Sequence, residues 1–244
     1  MTYFSEDAMP PRDSKLFCIG LQKTGLTSLL HLMRSCGVPA RGHDTEQRRN
    51  FFRHRYDSVL SYYDSAGFFC DWPTPLMYKL IYEKYGERAL FILTVRRDAR
   101  TWFESVKRHN AYAHPFKNKH RLVFGRYYPH GFDEEHISYY NSHNDEAVRF
   151  FREVGAANQL LVLRVDQPDA IQSLARFTGV PIHAREFPHR NNSQSFRPGL
   201  SNRLKFSYNK VVQPLYAKYV PEWRPSPPSQ VRPLEPGRSL AATG

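Results

Sequence analysis

Short apolar runs alternate along this chain with longer mixed segments, and that alternation outlines a fold. The runs are residues 16–21, 68–71, 89–96 and 160–165, each of strand length. Ala89–Val95 is a strongly apolar, β-rich stretch suited to a central parallel strand covered on both faces. Helices are predicted over 26–36, 74–86 behind Pro73 and Pro75, 98–109 and 133–155, the last with Asp133 as its cap. Two more are predicted over 168–178, ending at Gly179, and over 203–219. Residues 41–57 start as a loop and turn helical, while 112–132 and 184–202 read as irregular. Strands alternating with helices predict an α/β fold of three layers, α/β/α, around a central parallel sheet. From Pro221 the chain is rich in Pro, Ser and Arg, so one domain over 1–220 and an extended or disordered tail over 221–244 are expected.

Ligands of such sheets bind beyond the carboxyl ends of the strands. Residues 22–25, Asp71 and Arg97 each follow a predicted strand end and are expected to meet in one cleft. In residues 16–28, Leu-Phe-Cys-Ile-Gly-Leu-Gln-Lys-Thr-Gly-Leu-Thr-Ser, a strand passes through a turn into a helix beginning directly after Gly25. That geometry aims backbone N–H groups and the positive end of a helix at an anion. An ATP-type loop reads G-x-x-x-x-G-K-[ST], with lysine after the second glycine. Here Gly20 and Gly25 keep the glycine spacing and Thr27 keeps the hydroxyl, but Leu26 stands at the lysine position and the cation has moved back to Lys23. Such a loop can cradle phosphate, but it is a poor Mg-ATP site. The plainer alternative is a glycine turn ahead of a core helix.

About 70 residues further on, the apolar run 89–95 ends in Arg96-Arg97-Asp98 and leads into a helix carrying Ser105. An arginine fork at a strand end and a hydroxyl in the following helix can converge on one phosphate. Asp98 is placed to cap that helix. Taken singly, these arginines are equally well read as solvated charges at a sheet edge.

The two motifs in this order resemble the PAPS-dependent sulfotransferases, enzymes whose sulfuryl donor is 3′-phosphoadenosine 5′-phosphosulfate (PAPS). The phosphosulfate loop of that family is usually Pro-Lys-(Ser/Thr)-Gly-Thr-Thr; here it is Gln22-Lys23-Thr24-Gly25-Leu26-Thr27-Ser28. The resemblance implies a fold related to the P-loop kinases. It further implies that Lys23, Thr24, Gly25, Leu26, Thr27 and Ser28 hold the 5′-phosphosulfate, and that Arg97 and Ser105 hold the 3′-phosphate. Leu26 replaces a usual threonine, and Ser28 stands where many cytosolic members carry an adenine-stacking tryptophan, so the adenine platform must lie elsewhere. Arg190 falls where relatives close over the nucleotide, although their Arg-Lys-Gly pattern is absent. An Asp-x-Pro segment, as in Asp71-Trp72-Pro73, looks like one branch of the family in which aspartate takes the place of a catalytic histidine.

Transfer of a sulfuryl group relies on alignment and charge stabilisation. Lys23 is the candidate for neutralising the leaving oxygen, and Asp71 for accepting the acceptor's proton, its aromatic neighbours raising its basicity by desolvation. His109, at the end of the Ser105 helix, is the rival base. Each has a plainer reading: Asp71 as a turn or cap residue, His109 as an exposed helix end favoured by the dipole. The aromatic and histidine-bearing segment 111–132 reads as a lid or acceptor-binding loop, or as a surface excursion that completes the core.

Composition narrows the rest. With 244 residues, 41% hydrophobic, the chain can build one sizeable core. It contains no apolar stretch of membrane-spanning length and no signal pattern. Cys18, Cys36 and Cys70 show no C-x-x-C spacing and read as reduced thiols, which with the missing signal places the protein in the cytoplasm. The net charge of +12 suits an anionic partner. The cations are dispersed and no nucleic-acid motif is present, which argues against nucleic acid. The 11 histidines have no metal-ligand spacing, so no metal is expected. The reading is a sulfotransferase acting on a hydroxyl or amine of a small-molecule acceptor. The alternatives are an ATP-dependent small-molecule or nucleotide kinase, or a non-catalytic polyanion-binding protein with a degenerate loop.

Overall fold

The computed structural model describes residues 14–110, 123–124, 129, 131–188 and 200–219. The strands are β1 (Lys15–Cys18), β2 (Ala40–Arg41), β3 (Phe68–Phe69), β4 (Ala89–Thr94) and β5 (Leu160–Leu163). They form one parallel sheet in the order β2-β3-β1-β4-β5. The described α-helices are α1 (Leu26–Ser35), α2 (Thr45–Phe52), α3 (Tyr56–Tyr62), α4 (Thr74–Tyr85), α5 (Ala99–Asn110), α6 (Asp133–Glu153), α7 (Ala170–Thr178) and α8 (Leu200–Tyr219).

Residue alternation along the strands explains the three layers. Phe17, Ile19, Phe69, Phe91 and Leu93 enter one buried cluster with α3, α4 and α6. Their sequence neighbours Leu16, Cys18, Phe68, Leu90 and Ile92 enter another with α1 and α7. Strands buried on both faces need continuous apolar runs, which is why 89–94 is so uniformly hydrophobic. Phe17 lies at the centre, paired in register with Phe69 and Phe91 and packed edge-on against Tyr63 at 5.4 Å. Burying such a ring is worth roughly 2–3 kcal/mol.

Three expectations required correction. The segment at 40–41 is a strand, too short and polar to show a run of its own; it exists because Ala40 and Arg41 pair with Phe68 and Phe69. The other strands stop short of their apolar runs, β1 at Cys18 and β4 at Thr94, where the backbone leaves the sheet for the turns that follow. Asp133 is the first residue of α6 and no side chain caps that helix; with Glu134 and Glu135 it places negative charge in the first turn, where the dipole favours it. Residues 221–244 and most of 111–132 lie outside the described residues. Among the described residues no helix is long and apolar enough to cross a membrane.

From β1 the chain departs to β2 and β3 on one side, then crosses to β4 on the other. Beside β1 successive connections diverge, leaving a crevice at the strand carboxyl ends.

Candidate active site

The turn after β1 is shaped by two glycines where any side chain meets a close neighbour. A Cβ on Gly20 would fall against Thr94 Oγ1 and lie only 2.5 Å from the Thr94 carbonyl oxygen. Gly25 has φ 108°, and a Cβ there would sit 2.7 Å from Val165 Cγ2. Lys23 adopts a left-handed backbone with φ 72°, uncommon for a residue with a side chain.

Three consecutive carbonyls hold this turn to the protein body. The Thr24 hydroxyl donates to Leu21 O at 2.6 Å, Trp102 Nε1 donates to Gln22 O at 2.8 Å, and Arg96 Nε donates to Lys23 O at 2.7 Å. Thr24 Oγ1 also lies 2.6 Å from Thr94 Oγ1. With its carbonyls tied inward, the turn leads into α1, whose N-cap is Gly25 and which has neither a side-chain cap nor an acid in its first turn. The earliest amide closing the helix ladder is that of Leu29, bonded to Gly25 O at 3.0 Å. The amides ahead of it lie at the positive end of the dipole, an arrangement suited to an anion.

The electrostatics agree. Burial lowers the Lys23 pKa from its ordinary 10.5, and the cations of Arg96 and Arg108 lower it further; no described acid counters them. Three cations that have no carboxylate partner among the described residues are ones that an external anion would stabilise.

Asp71 follows β3 in a left-handed conformation, φ 70°, and its carboxylate accepts the Trp72 N–H at 2.8 Å. It is half-buried. His109, on the last turn of α5, is exposed to solvent, although the protein around it still desolvates its ring. Burial lowers its pKa from 6.5, the Lys23 cation lowers it further, and Asp71 opposes both. His109 is thus within electrostatic reach of both Lys23 and Asp71.

The second cradle is less closed. Asp98 caps α5, accepting the Thr101 N–H at 2.6 Å, and the Thr101 amide and hydroxyl followed by Arg97 hold its carboxyl down to about 2. The Arg97 guanidinium is exposed, donating to Asp98 at 3.1 Å and to Thr101 Oγ1 at 3.4 Å. Ser105 is buried one turn beyond Thr101 on the same helical face. Arg97 and Ser105 therefore flank one strip of α5, with Arg97 directed to Asp98 and Thr101. Leu26 is buried against the α1 core, Thr27 is exposed and Ser28 half-buried, while Thr24 directs its hydroxyl into the turn and away from any ligand. Arg190 lies outside the described residues. Among those described, no cluster of three or more His, Cys, Asp or Glu side chains is arranged to hold a metal ion.

Sequence reasoning missed the residues that build the turn from a distance: Thr94, Arg96, Trp102 and Tyr140. Arg96 was visible only as the neighbour of Arg97. Trp102 belongs to the apolar face of α5 and Tyr140 to α6, and neither position carries a local signal linking it to residues 22–23.

A protein-family model described as "Sulfotransferase domain" matches residues 15–196, most of the chain and all of the elements just described except α8. No curated protein matches it.

Proposed function

Because the chain belongs to the sulfotransferase-domain family, whose reaction is sulfuryl transfer, we propose that its donor is PAPS and its acceptor a hydroxyl or amine of a small molecule. One observation carries this reading: a left-handed Lys23 in a turn whose carbonyls are tied inward, beside two guanidinium cations and an uncapped helix start. In this scheme the amides of Thr24, Gly25, Leu26, Thr27 and Ser28 cradle the 5′-phosphosulfate, with the hydroxyls of Thr27 and Ser28. Arg97 and Ser105 take the 3′-phosphate, and Arg190 is a further donor-binding candidate. The acceptor oxygen or nitrogen attacks sulfur as the bond from sulfur to the 5′-phosphate oxygen breaks, releasing adenosine 3′,5′-bisphosphate.

Lys23 faces the departing oxygen. The burial and neighbouring cations that lower its pKa make its ammonium a readier proton donor, and developing negative charge on that oxygen offsets their repulsion. Asp71 accepts the proton released by the acceptor. His109 is the rival, because its surroundings favour the neutral imidazole a base requires.

Calorimetric titration with adenosine 3′,5′-bisphosphate and with ATP tests the donor. Tighter binding of the bisphosphate is expected, and it should weaken in Arg97→Ala. Tighter binding of ATP would establish the kinase alternative instead.

A further inference from the structure

Lys23 is held in place by a brace that no local pattern announces. Arg96 spans the crevice from the end of β4: its Nε donates to Lys23 O at 2.7 Å, and its own backbone N–H donates to the Tyr140 hydroxyl at 2.9 Å. The Tyr140 ring in turn stacks on Trp102 with centroids 4.5 Å apart and planes at 23°, and Trp102 Nε1 donates to Gln22 O at 2.8 Å. The contacts close a loop: Gln22 and Lys23 are gripped through successive carbonyls by two side chains that are themselves coupled through Tyr140. The circuit joins the β1 turn, β4, α5 and α6. Trp102 and Tyr140 are buried while Arg96 is half-buried, so the brace has a rigid base and a polar tip at the site.

A left-handed backbone at a residue with a side chain costs on the order of 1–2 kcal/mol and persists only where neighbours enforce it. The Arg96–Lys23 hydrogen bond is the direct enforcement visible at that residue. Its geometry also determines where the Lys23 side chain departs from the main chain. Resting on the reading of Lys23 as the residue facing the leaving oxygen, we propose that Arg96, seated by Tyr140 and Trp102, is a positioning residue that acts on turnover through Lys23. It need not touch the substrate to do so.

The test is a double-mutant cycle of Arg96→Ala and Lys23→Ala, read as kcat and donor KM with PAPS and a phenol acceptor. Arg96→Ala alone is expected to lower kcat by about 10- to 100-fold, the loss a misplacement of about 1 Å produces, with a smaller change in KM. In the Lys23→Ala background the same substitution is expected to change kcat less than about twofold. Equal losses in the two backgrounds, or none in the first, overturn the proposal. Tyr140→Phe, which keeps the stacked ring and removes the hydroxyl, is expected to give the same kinetic pattern at smaller amplitude; a Tyr140→Phe enzyme with wild-type kcat removes Tyr140 from the brace. A crystal structure of Arg96→Ala supplies a readout independent of activity: Lys23 is expected to leave the left-handed region, and a φ still near that of the parent refutes the positioning role. If the wild-type protein does not turn over PAPS, the donor assignment fails while this structural readout still decides the role of Arg96.

Discussion

Replacing Gly25 by alanine separates two physical costs at one atom. The first is conformational: φ 108° lies where an L-residue is strained, a cost on the order of 1–3 kcal/mol. The second is steric, since the new Cβ would sit 2.7 Å from Val165 Cγ2 and 3.0 Å from Cγ1. Overpacking of that kind costs about 1–3 kcal/mol. Gly25→Ala is therefore expected to lose about 2–6 kcal/mol of stability, a large share of the roughly 5–15 kcal/mol typical of a domain. Val165→Ala removes the clashing methyls but leaves the backbone strain, so the double mutant should recover about 1–3 kcal/mol relative to additivity. The remaining 1–3 kcal/mol, roughly, should not be recovered by any change at Val165. Guanidinium unfolding of the four proteins, fitted with a common slope, measures each term. A Gly25→Ala protein within about 0.5 kcal/mol of its parent would refute the argument, given that measured effects of this kind normally exceed that margin. Full rescue by Val165→Ala would refute its conformational half.

Lys23→Ala is expected to reduce kcat by more than it weakens adenosine 3′,5′-bisphosphate binding, because its best contact forms as the leaving oxygen gains charge; equal effects on both would make Lys23 a simple binding residue. Asp71→Asn should abolish transfer while preserving nucleotide affinity, and a near-normal rate there combined with an inactive His109→Gln would transfer the role of base. His143 is buried and donates through Nε2 to Ile19 O at 2.8 Å, and its pKa is lowered below 6.5, chiefly by burial. The unfolded chain then binds a proton near 6.5 that the folded chain refuses until lower pH, so stability should rise with pH up to about 6.5 and fall on acidification. His143→Gln should flatten that slope in denaturation curves taken between about pH 5.5 and about 7.5; an unchanged slope would assign it elsewhere, His109 being the next histidine with a lowered pKa. Burial pushes the Cys18 thiol up to about 11 and Cys70 well above its usual value, whereas Cys36 is only partly buried. A thiol reagent at pH about 8 should therefore modify Cys36 first in the native protein, and rapid labelling of Cys18 would contradict its burial.

Much of this protein can be read from its residues taken in order. Apolar runs such as 89–95 must be buried on both faces, which dictates a parallel sheet with helices on each side. The strand–turn–helix after β1 is legible because Gly20, Lys23, Gly25 and the helix behind them are local, and local backbone geometry follows from local sequence. Asp98 announced itself as a cap for the same reason. Tertiary structure decided what depends on residues distant in sequence. The two-residue strand at Ala40–Arg41 exists only through its pairing with Phe68–Phe69. The Thr24 hydroxyl, free to serve a ligand as far as the motif shows, is instead bonded to Leu21 and Thr94. The carbonyls of residues 22 and 23 are gripped by Trp102 and Arg96, more than 70 positions away. Hydrogen bonds and packing between remote segments have no period and no spacing, so they become visible only once the sheet has brought those segments to one edge.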